Sequence, residues 1–232
     1  MRVVVLTGAG ISAESGVPTF RDANGLWEGH RVEDVATPEA FERDPVLVQR
    51  FYDARRRALA SVDPNPAHRA LARLEAELGD DLLVVTQNVD DLHGRAGTTR
   101  LVHMHGELRR ALCTACAARP AWHDDLIDGP PCPACGERAL RPDVVWFGEM
   151  PYETDRIERA VATCDLFVSV GTSGAVYPAA GYAALAAAVG ARTLELNLVP
   201  TMGIVAFDEV RAGPASVVVP RWVDELRRSR AG

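Results

Sequence analysis

The sequence predicts an α/β fold, a parallel sheet covered by helices with a small lobe inserted into it, on three observations. Short β-branched runs alternate with helical patterns, a glycine-rich turn follows the first run, and two segments interrupt the alternation. The strand runs are Val3 to Thr7, Leu82 to Thr86, Leu166 to Val170 and Arg192 to Asn197. Thr37-Pro38 and Asn65-Pro66 each set a capping residue before a proline suited to a first helical turn. Gly79 and Gly190 follow apolar helical stretches as stops, so three helices are bracketed. The interruptions exceed the usual short connections. One, residues 20–62, contains a loop and a long helix; the other, residues 107–141, is rich in cysteine and proline. They are expected to form the small lobe of a single domain, 1–232, whose large Rossmann-like lobe takes 1–19, 63–106 and 142–232.

A length of 232 residues allows one sizeable core and a small module. Apolar residues at 47% and charged residues at 25% are ordinary for a folded soluble chain and exclude extensive disorder. The apolar run before Gly8 is too short for a signal-peptide core or a membrane span, so a cytoplasmic protein without a membrane partner is expected. A formal charge of -7 disfavours direct nucleic-acid binding and favours a basic partner, such as a lysine-rich tail. The chain itself has no lysine, and all 25 basic residues are arginine.

The turn Gly8-Ala9-Gly10 after the first strand permits the close backbone approach that a pyrophosphate needs. It departs from the standard dinucleotide fingerprint, because Ala13 stands where the third glycine belongs and the next glycine is Gly16. Further on, Tyr52 and Arg55 are three apart and share a helical face, presenting a phenol and a guanidinium fork suited to a carboxylate. Thr86-Gln87-Asn88-Val89-Asp90 closes the second strand run, where ligands of open α/β sheets bind. Its amide and carboxylate suit a carboxamide, and they equally suit a strand-end turn. His103 and His105 are two apart and face one side if they lie on a strand, so spacing does not choose between them.

Cys113 and Cys116, then Cys132 and Cys135, form two pairs with two-residue spacers, a four-thiolate zinc pattern. In a reducing compartment an odd total of five cysteines reads as metal ligands plus one buried small side chain, Cys164, rather than as disulfides. Four thiolates complete a tetrahedral zinc, leaving no position for water or substrate, so one structural ion per chain is expected. The hydrophobic run from Arg141 to Glu149 reads on its own as a buried strand.

Together these motifs resemble the sirtuin family in order, from Val3 to about Glu225. They are the block Gly8-Ala9-Gly10-Ile11-Ser12-Ala13-Glu14-Ser15-Gly16 with Pro18-Thr19-Phe20-Arg21, the Thr86-to-Asp90 tract, His105-Gly106, the cysteine pairs, and the Arg141-to-Glu149 segment. Val89 stands where the family usually has isoleucine. The resemblance implies NAD as a consumed co-substrate and acylated-lysine proteins or peptides as partners. It lays Gly8, Ala9, Gly10, Ile11 and Ser12 along the NAD phosphates, Phe20 over the reacting centre and Arg21 near the phosphates or ribose. Gln87 then contacts the ribose, while Asn88 and Asp90 form the nicotinamide pocket. Gly171, Thr172, Ser173, Asn197 and Leu198 match positions holding the adenosine ribose, with an adenine-side contact near Ala215.

The His-Gly pattern selects His105 as general base, a role suited to an imidazole whose unperturbed pKa is about 6.5. Val145, Trp146, Phe147 and Gly148 match the segment that pairs with an extended substrate and contacts the acyl-lysine. The context Phe51-Tyr52-Asp53-Ala54-Arg55 resembles the bacterial class III members that remove succinyl and malonyl groups, with Ala36 matching the small residue that widens their acyl pocket. The implied reaction removes acetyl, succinyl or malonyl groups from lysine, yielding nicotinamide, O-acyl-ADP-ribose and free lysine. Lacking lysine, the chain cannot be its own substrate. Two other classes fit part of the pattern: a protein ADP-ribosyltransferase using the same cleft, and a noncatalytic NAD-sensing or zinc-ribbon module, against which His105 argues.

Overall fold

The computed structural model describes residues 1–19, 27, 29–201 and 206–231, the side chains of 230 and 231 excepted. Its strands are β1 (Val3–Thr7), β2 (Leu82–Thr86), β3 (Leu101–His103), β4 (Gly106–Cys113), β5 (Leu140–Val144), β6 (Leu166–Val170), β7 (Arg192–Asn197) and β8 (Glu209–Ala212). Its α-helices are α1 (Val32–Val35), α2 (Pro38–Arg43), α3 (Pro45–Ala58), α4 (Pro66–Leu78), α5 (Leu92–Arg95), α6 (Thr154–Val161), α7 (Tyr182–Ala188) and α8 (Ala215–Ala231).

Six strands form a parallel sheet in the order β3-β2-β1-β6-β7-β8, and β4 pairs with β5 antiparallel. In the central strand Val5 lies between Val84 and Val168. All of β1 and β6 is buried, as strands covered on both faces must be. One face packs under α4 and α8 through Leu71, Leu74, Val219 and Trp222; the other packs under α6 and α7 through Ile157, Val161, Tyr182 and Ala186. The chain lays down β1, β2 and β3 on one side and returns to build β6, β7 and β8 on the other. The switch point, where open α/β sheets bind ligands, therefore lies between β1 and β6 at their carboxyl ends.

The predicted helix starts are present. Thr37 accepts a bond from the Ala40 N–H at 3.0 Å, and Asn65 accepts one from Ala67 at 2.9 Å. The long helix expected within 20–62 is divided, however. The Asp44 carboxylate accepts from the Leu47 N–H at 2.9 Å and Pro45 occupies the first turn, so α2 ends and α3 begins at this step.

Helices α1 to α3 pack on the β4–β5 pair around Trp27, Val48, Phe51, Leu108, Val144 and Trp146. Thus β5 crosses the boundary expected at residue 142, and Val144 and Trp146 pack with the inserted elements. A smaller cluster of Ala111, Cys113, Leu126, Cys132 and Leu140 lies beyond. Asp53 and Arg56 on α3 face this module as a buried ion pair. Asp53 accepts from the N–H groups of Leu126 and Ile127, both at 3.0 Å, and Arg56 donates to the Leu108 carbonyl at 2.7 Å. Among the described residues no helix is long and apolar enough to cross a membrane.

Candidate active site

A cleft of about 680 Å³ opens at the switch point, between the sheet and the inserted elements. Its floor joins two loops by backbone bonds, Gly8 N–H to the Val170 carbonyl at 3.0 Å and Gly10 N–H to the Gly171 carbonyl at 2.9 Å. A Cβ at Gly10 would stand 2.7 Å from Gly171 Cα, and one at Gly8 would stand 2.9 Å from the Gly171 oxygen. The two glycines are therefore required by the neighbouring loop before any ligand is considered. Gly8, Ala9, Gly10 and Ser12 line the cleft. Ile11 does not: its side chain is fully buried in the core, a departure from its expected place along the phosphates. Phe20 and Arg21 lie outside the described residues.

Ser12 ties the floor to the Asn88–Asp90 tract. Asn88 Nδ2 donates to the Gly8 carbonyl and to Ser12 Oγ, both at 3.1 Å, which uses both amide hydrogens. The Ser12 hydroxyl donates to Asp90 Oδ2 at 2.9 Å. His68 Nδ1 accepts the Asn65 N–H at 3.3 Å, so in the neutral ring Nε2 carries the hydrogen and faces Ser12 Oγ at 3.4 Å. Beneath, His93 Nε2 lies 3.0 Å from Thr7 Oγ1, whose own hydrogen goes to Thr86 Oγ1 at 2.9 Å. Burial holds the His68 pKa down at about 4 and drives that of His93 well below its ordinary value. Burial likewise raises that of Asp90. With its nitrogen committed, Asn88 keeps Oδ1 for a ligand N–H, which fits one half of a carboxamide. Gln87 lines the same wall.

The structure separates the two histidines. β3 ends at His103, which lies 3.8 Å from Glu107 and outside the cleft lining, whereas His105 lines the cleft. Gly106 turns the chain here with φ +80°, and a Cβ on it would meet the Asp143 oxygen at 2.1 Å, so the residue after His105 must be glycine. His105 Nδ1 sits 3.1 Å from the Gln87 carbonyl, which can only accept; Nδ1 therefore carries the hydrogen and Nε2 presents a lone pair. Burial lowers the His105 pKa from its ordinary 6.5, opposed by the bond to Gln87. A neutral imidazole able to take a proton is the result.

Opposite stands a wall of aromatic and cationic groups. Tyr52 and Arg55 line the cleft from one face of α3, the face-sharing their spacing predicted, with Ala36 in the same lining. The Arg55 guanidinium lies over the Trp27 ring at 4.3 Å. Tyr52 is fully buried, accepts the Trp146 indole N–H at 3.0 Å, and has its pKa raised by burial. Val145, Trp146, Phe147 and Gly148 also line the cleft. Two of their N–H groups tie this segment to its surroundings, Val145 to the His105 carbonyl at 2.9 Å and Phe147 to that of Ala36 at 3.0 Å.

At the far end, Gly171, Thr172, Ser173, Asn197 and Leu198 line the cleft. Asn197 Nδ2 donates to the Thr172 carbonyl at 2.8 Å and to buried Glu195 at 3.2 Å, so its amide braces this loop. Ala215 begins α8 and is buried in the core, and it does not line the cleft, so the expected adenine-side contact is not found there. His68, His93, Glu195, Trp27 and Glu149 were not singled out by sequence. For His68 a signal existed: a histidine on the buried face of α4, beside Ala67 and Leu71.

The four cysteines Cys113, Cys116, Cys132 and Cys135 converge away from the cleft, with all sulfurs within 4.8 Å of one another. Cys113 and Cys135 are 3.7 Å apart, and Cys116 and Cys132 are 3.8 Å apart. A tetrahedron with Zn–S bonds of about 2.3 Å has edges of about 3.8 Å, so the thiols fit one structural zinc. The Ala134 N–H, 3.4 Å from Cys132 Sγ, further favours a thiolate. Cys164 is buried and free, apart from the cluster.

Comparison with known proteins agrees with this architecture. The Sir2 family pattern matches residues 8–178. The NAD-dependent protein deacylase SIR2rp3 of Trypanosoma brucei brucei is 56% identical over 97% of this chain and 94% of its own length. The NAD-dependent protein deacylase of Escherichia coli strain K12 is 56% identical over 97% of this chain and 82% of its own. A solved Sir2 homolog–NAD complex superposes with a TM-score of 0.89 at 40% identity, over 98% of this chain and 90% of that one. With the α/β sheet, the switch-point cleft and the four-thiol cluster in place, the chain belongs to the Sir2 family.

Proposed function

We propose that this NAD-dependent protein deacylase removes acetyl groups, and also succinyl and malonyl groups, from protein lysines. The reading is carried by one observation. A neutral imidazole, an amide–carboxylate pair and a tyrosine–arginine pair, drawn from segments far apart in sequence, line a single cleft. In this reading NAD supplies the ribose that receives the acyl group, and the products are nicotinamide, O-acyl-ADP-ribose and free lysine.

Asn88 Oδ1 accepts the nicotinamide N–H, with Asp90 beside it, and the Gly8–Ser12 turn and Gly171–Ser173 loop take the phosphate and adenosine portions. His105 Nε2 accepts the proton of a ribose hydroxyl, an assignment its Nδ1 bond to Gln87 supports. The Val145–Gly148 segment orients the acyl-lysine. Tyr52 and Arg55 bind the distal carboxylate of a succinyl or malonyl chain, and Ala36 leaves room for it. Holding both reactants in one cleft supplies proximity and excludes competing water.

The test mixes protein, NAD and matched acetylated and succinylated peptides and follows all products by mass spectrometry. Release of nicotinamide with O-acetyl- and O-succinyl-ADP-ribose is expected. ADP-ribose attached to an acceptor protein, or no nicotinamide release, would overturn the reading. Arg55→Met is expected to raise KM for the succinyl peptide about 10- to 100-fold, the range for a charge-assisted hydrogen bond, with deacetylation little changed.

A further inference from the structure

We propose that Trp146 is a positioning residue for acyl-chain selectivity, its indole N–H fixing Tyr52 so that the phenol hydrogen is left for an acyl carboxylate. The inference rests on Tyr52 and Arg55 acting as a carboxylate clamp. An indole nitrogen can only donate. In the 3.0 Å bond between Trp146 Nε1 and Tyr52 Oη the phenol is therefore the acceptor, and its own hydrogen is not spent there. Among the described residues this is the only hydrogen-bond partner of that hydroxyl. Tyr52 is fully buried and borders the cleft, so an acceptor for that hydrogen has to arrive from the cleft side. An ionised carboxylate accepts only, and matches it; an acetyl methyl group does not.

Trp146 is itself held firmly. Its backbone N–H donates to Glu149 Oε2 at 2.8 Å, and Arg141 donates to Glu149 Oε1 at 2.7 Å. The same Arg141 guanidinium covers the indole face at 4.0 Å, with Phe41 5.3 Å away. The ring therefore cannot swing to follow the phenol, and the phenol is oriented before substrate arrives, which is how a fixed supporting shell confers selectivity. Without that N–H, the hydroxyl is free to turn its lone pairs toward the carboxylate instead.

The experiment compares Trp146→Phe, Tyr52→Phe, the double variant and Arg55→Met with the unaltered protein, measuring kcat and KM on matched acetyl and succinyl peptides. For Trp146→Phe the ratio of succinyl-peptide KM to acetyl-peptide KM is expected to rise about 3- to 10-fold, the worth of one neutral hydrogen bond, on top of whatever loss the two peptides share through the substrate-orienting segment. In that ratio the double variant should match Tyr52→Phe alone, because one acts through the other. Equal losses on both peptides, or ratios that multiply in the double variant, overturn the inference. If Arg55→Met is selective and Trp146→Phe is not, only the role of Trp146 falls. If neither is selective, the clamp falls with it. Should phenylalanine lower the melting temperature, benzothienylalanine at 146 keeps the ring shape and lacks the N–H. The same rise in that ratio is then expected, and its absence overturns the role of Trp146.

Discussion

On the sheet side of the cleft, Ser12, Asn88 and Asp90 are fixed by hydrogen bonds that close on one another above a continuous apolar core. On the opposite side, Tyr52 and Arg55 ride on one helix held by a buried ion pair, a cluster of rings and a module built on four thiols. The first wall inherits the stability of the whole sheet; the second depends on local staples, because its module has a small core of its own. The wall proposed to read the dinucleotide and the wall proposed to read the acyl group can therefore be perturbed separately.

The largest expected effect comes from removing zinc. Such sites contribute about 10 to 16 kcal/mol in small zinc peptides, so chelation, or more mildly Cys132→Ser, should loosen the module and α3. Hydrogen exchange should show amides at 107–141 and in α3 losing protection while β1, β2 and β6 keep theirs. Uniform loss would erase the distinction between the walls. Next, His105→Ala should reduce deacylation by about 10²- to 10⁴-fold, the usual worth of a general base, at an unchanged melting temperature. A parallel fall in melting temperature would make this histidine a structural member of the sheet wall.

Asp53→Ala strands the fully buried Arg56 without its carboxylate, at a cost of about 3 to 5 kcal/mol. Because the pair links α3 to the module, succinyl-peptide KM should rise while NAD affinity, followed by calorimetry, holds. Equal damage to both would show the walls to be coupled. The smallest effects are in pH. His68 is held at about 4 in the folded chain against an ordinary 6.5, so the unfolded chain takes up this proton first. Its contribution to stability is complete above pH 6.5 and declines as pH falls toward 4, which denaturant titrations across that window should resolve. For His105 the lowered pKa displaces the acid limb of kcat/KM below 6.5; a limb above 6.5 would contradict the neutral-imidazole assignment.

Much of the sheet was legible because β1, β2 and β6 are nearly continuous apolar runs, the pattern of strands covered on both faces, while β7 alternates, with Leu194 and Leu196 between polar residues. β3 and β8, three and four residues long, are too short to carry a period. The break at Asp44-Pro45 was readable in principle, as a capping residue before proline like those at Thr37 and Asn65, yet it sits inside one long helical pattern. Tyr52 and Arg55 were found because they are helical neighbours, and the cysteines because their spacing is regular. The Ser12–His68 and Thr7–His93 contacts were not legible, since they span 56 and 86 residues and form only when β1, α4 and α5 pack. Likewise the bond from Trp146 to Tyr52 spans 94 residues, and no local pattern announces it.

The orientation of the Asn88 side chain has a consequence for which form of the dinucleotide is admitted. Both of its hydrogens are turned inward, so what Asn88 would offer the pyridine substituent in the proposed pocket is an electron pair. A ring bearing an acid in place of the amide would bring oxygen against oxygen, with no proton between them. In the proposed reading the deamidated dinucleotide would thereby be refused at the pocket itself, by repulsion rather than by size.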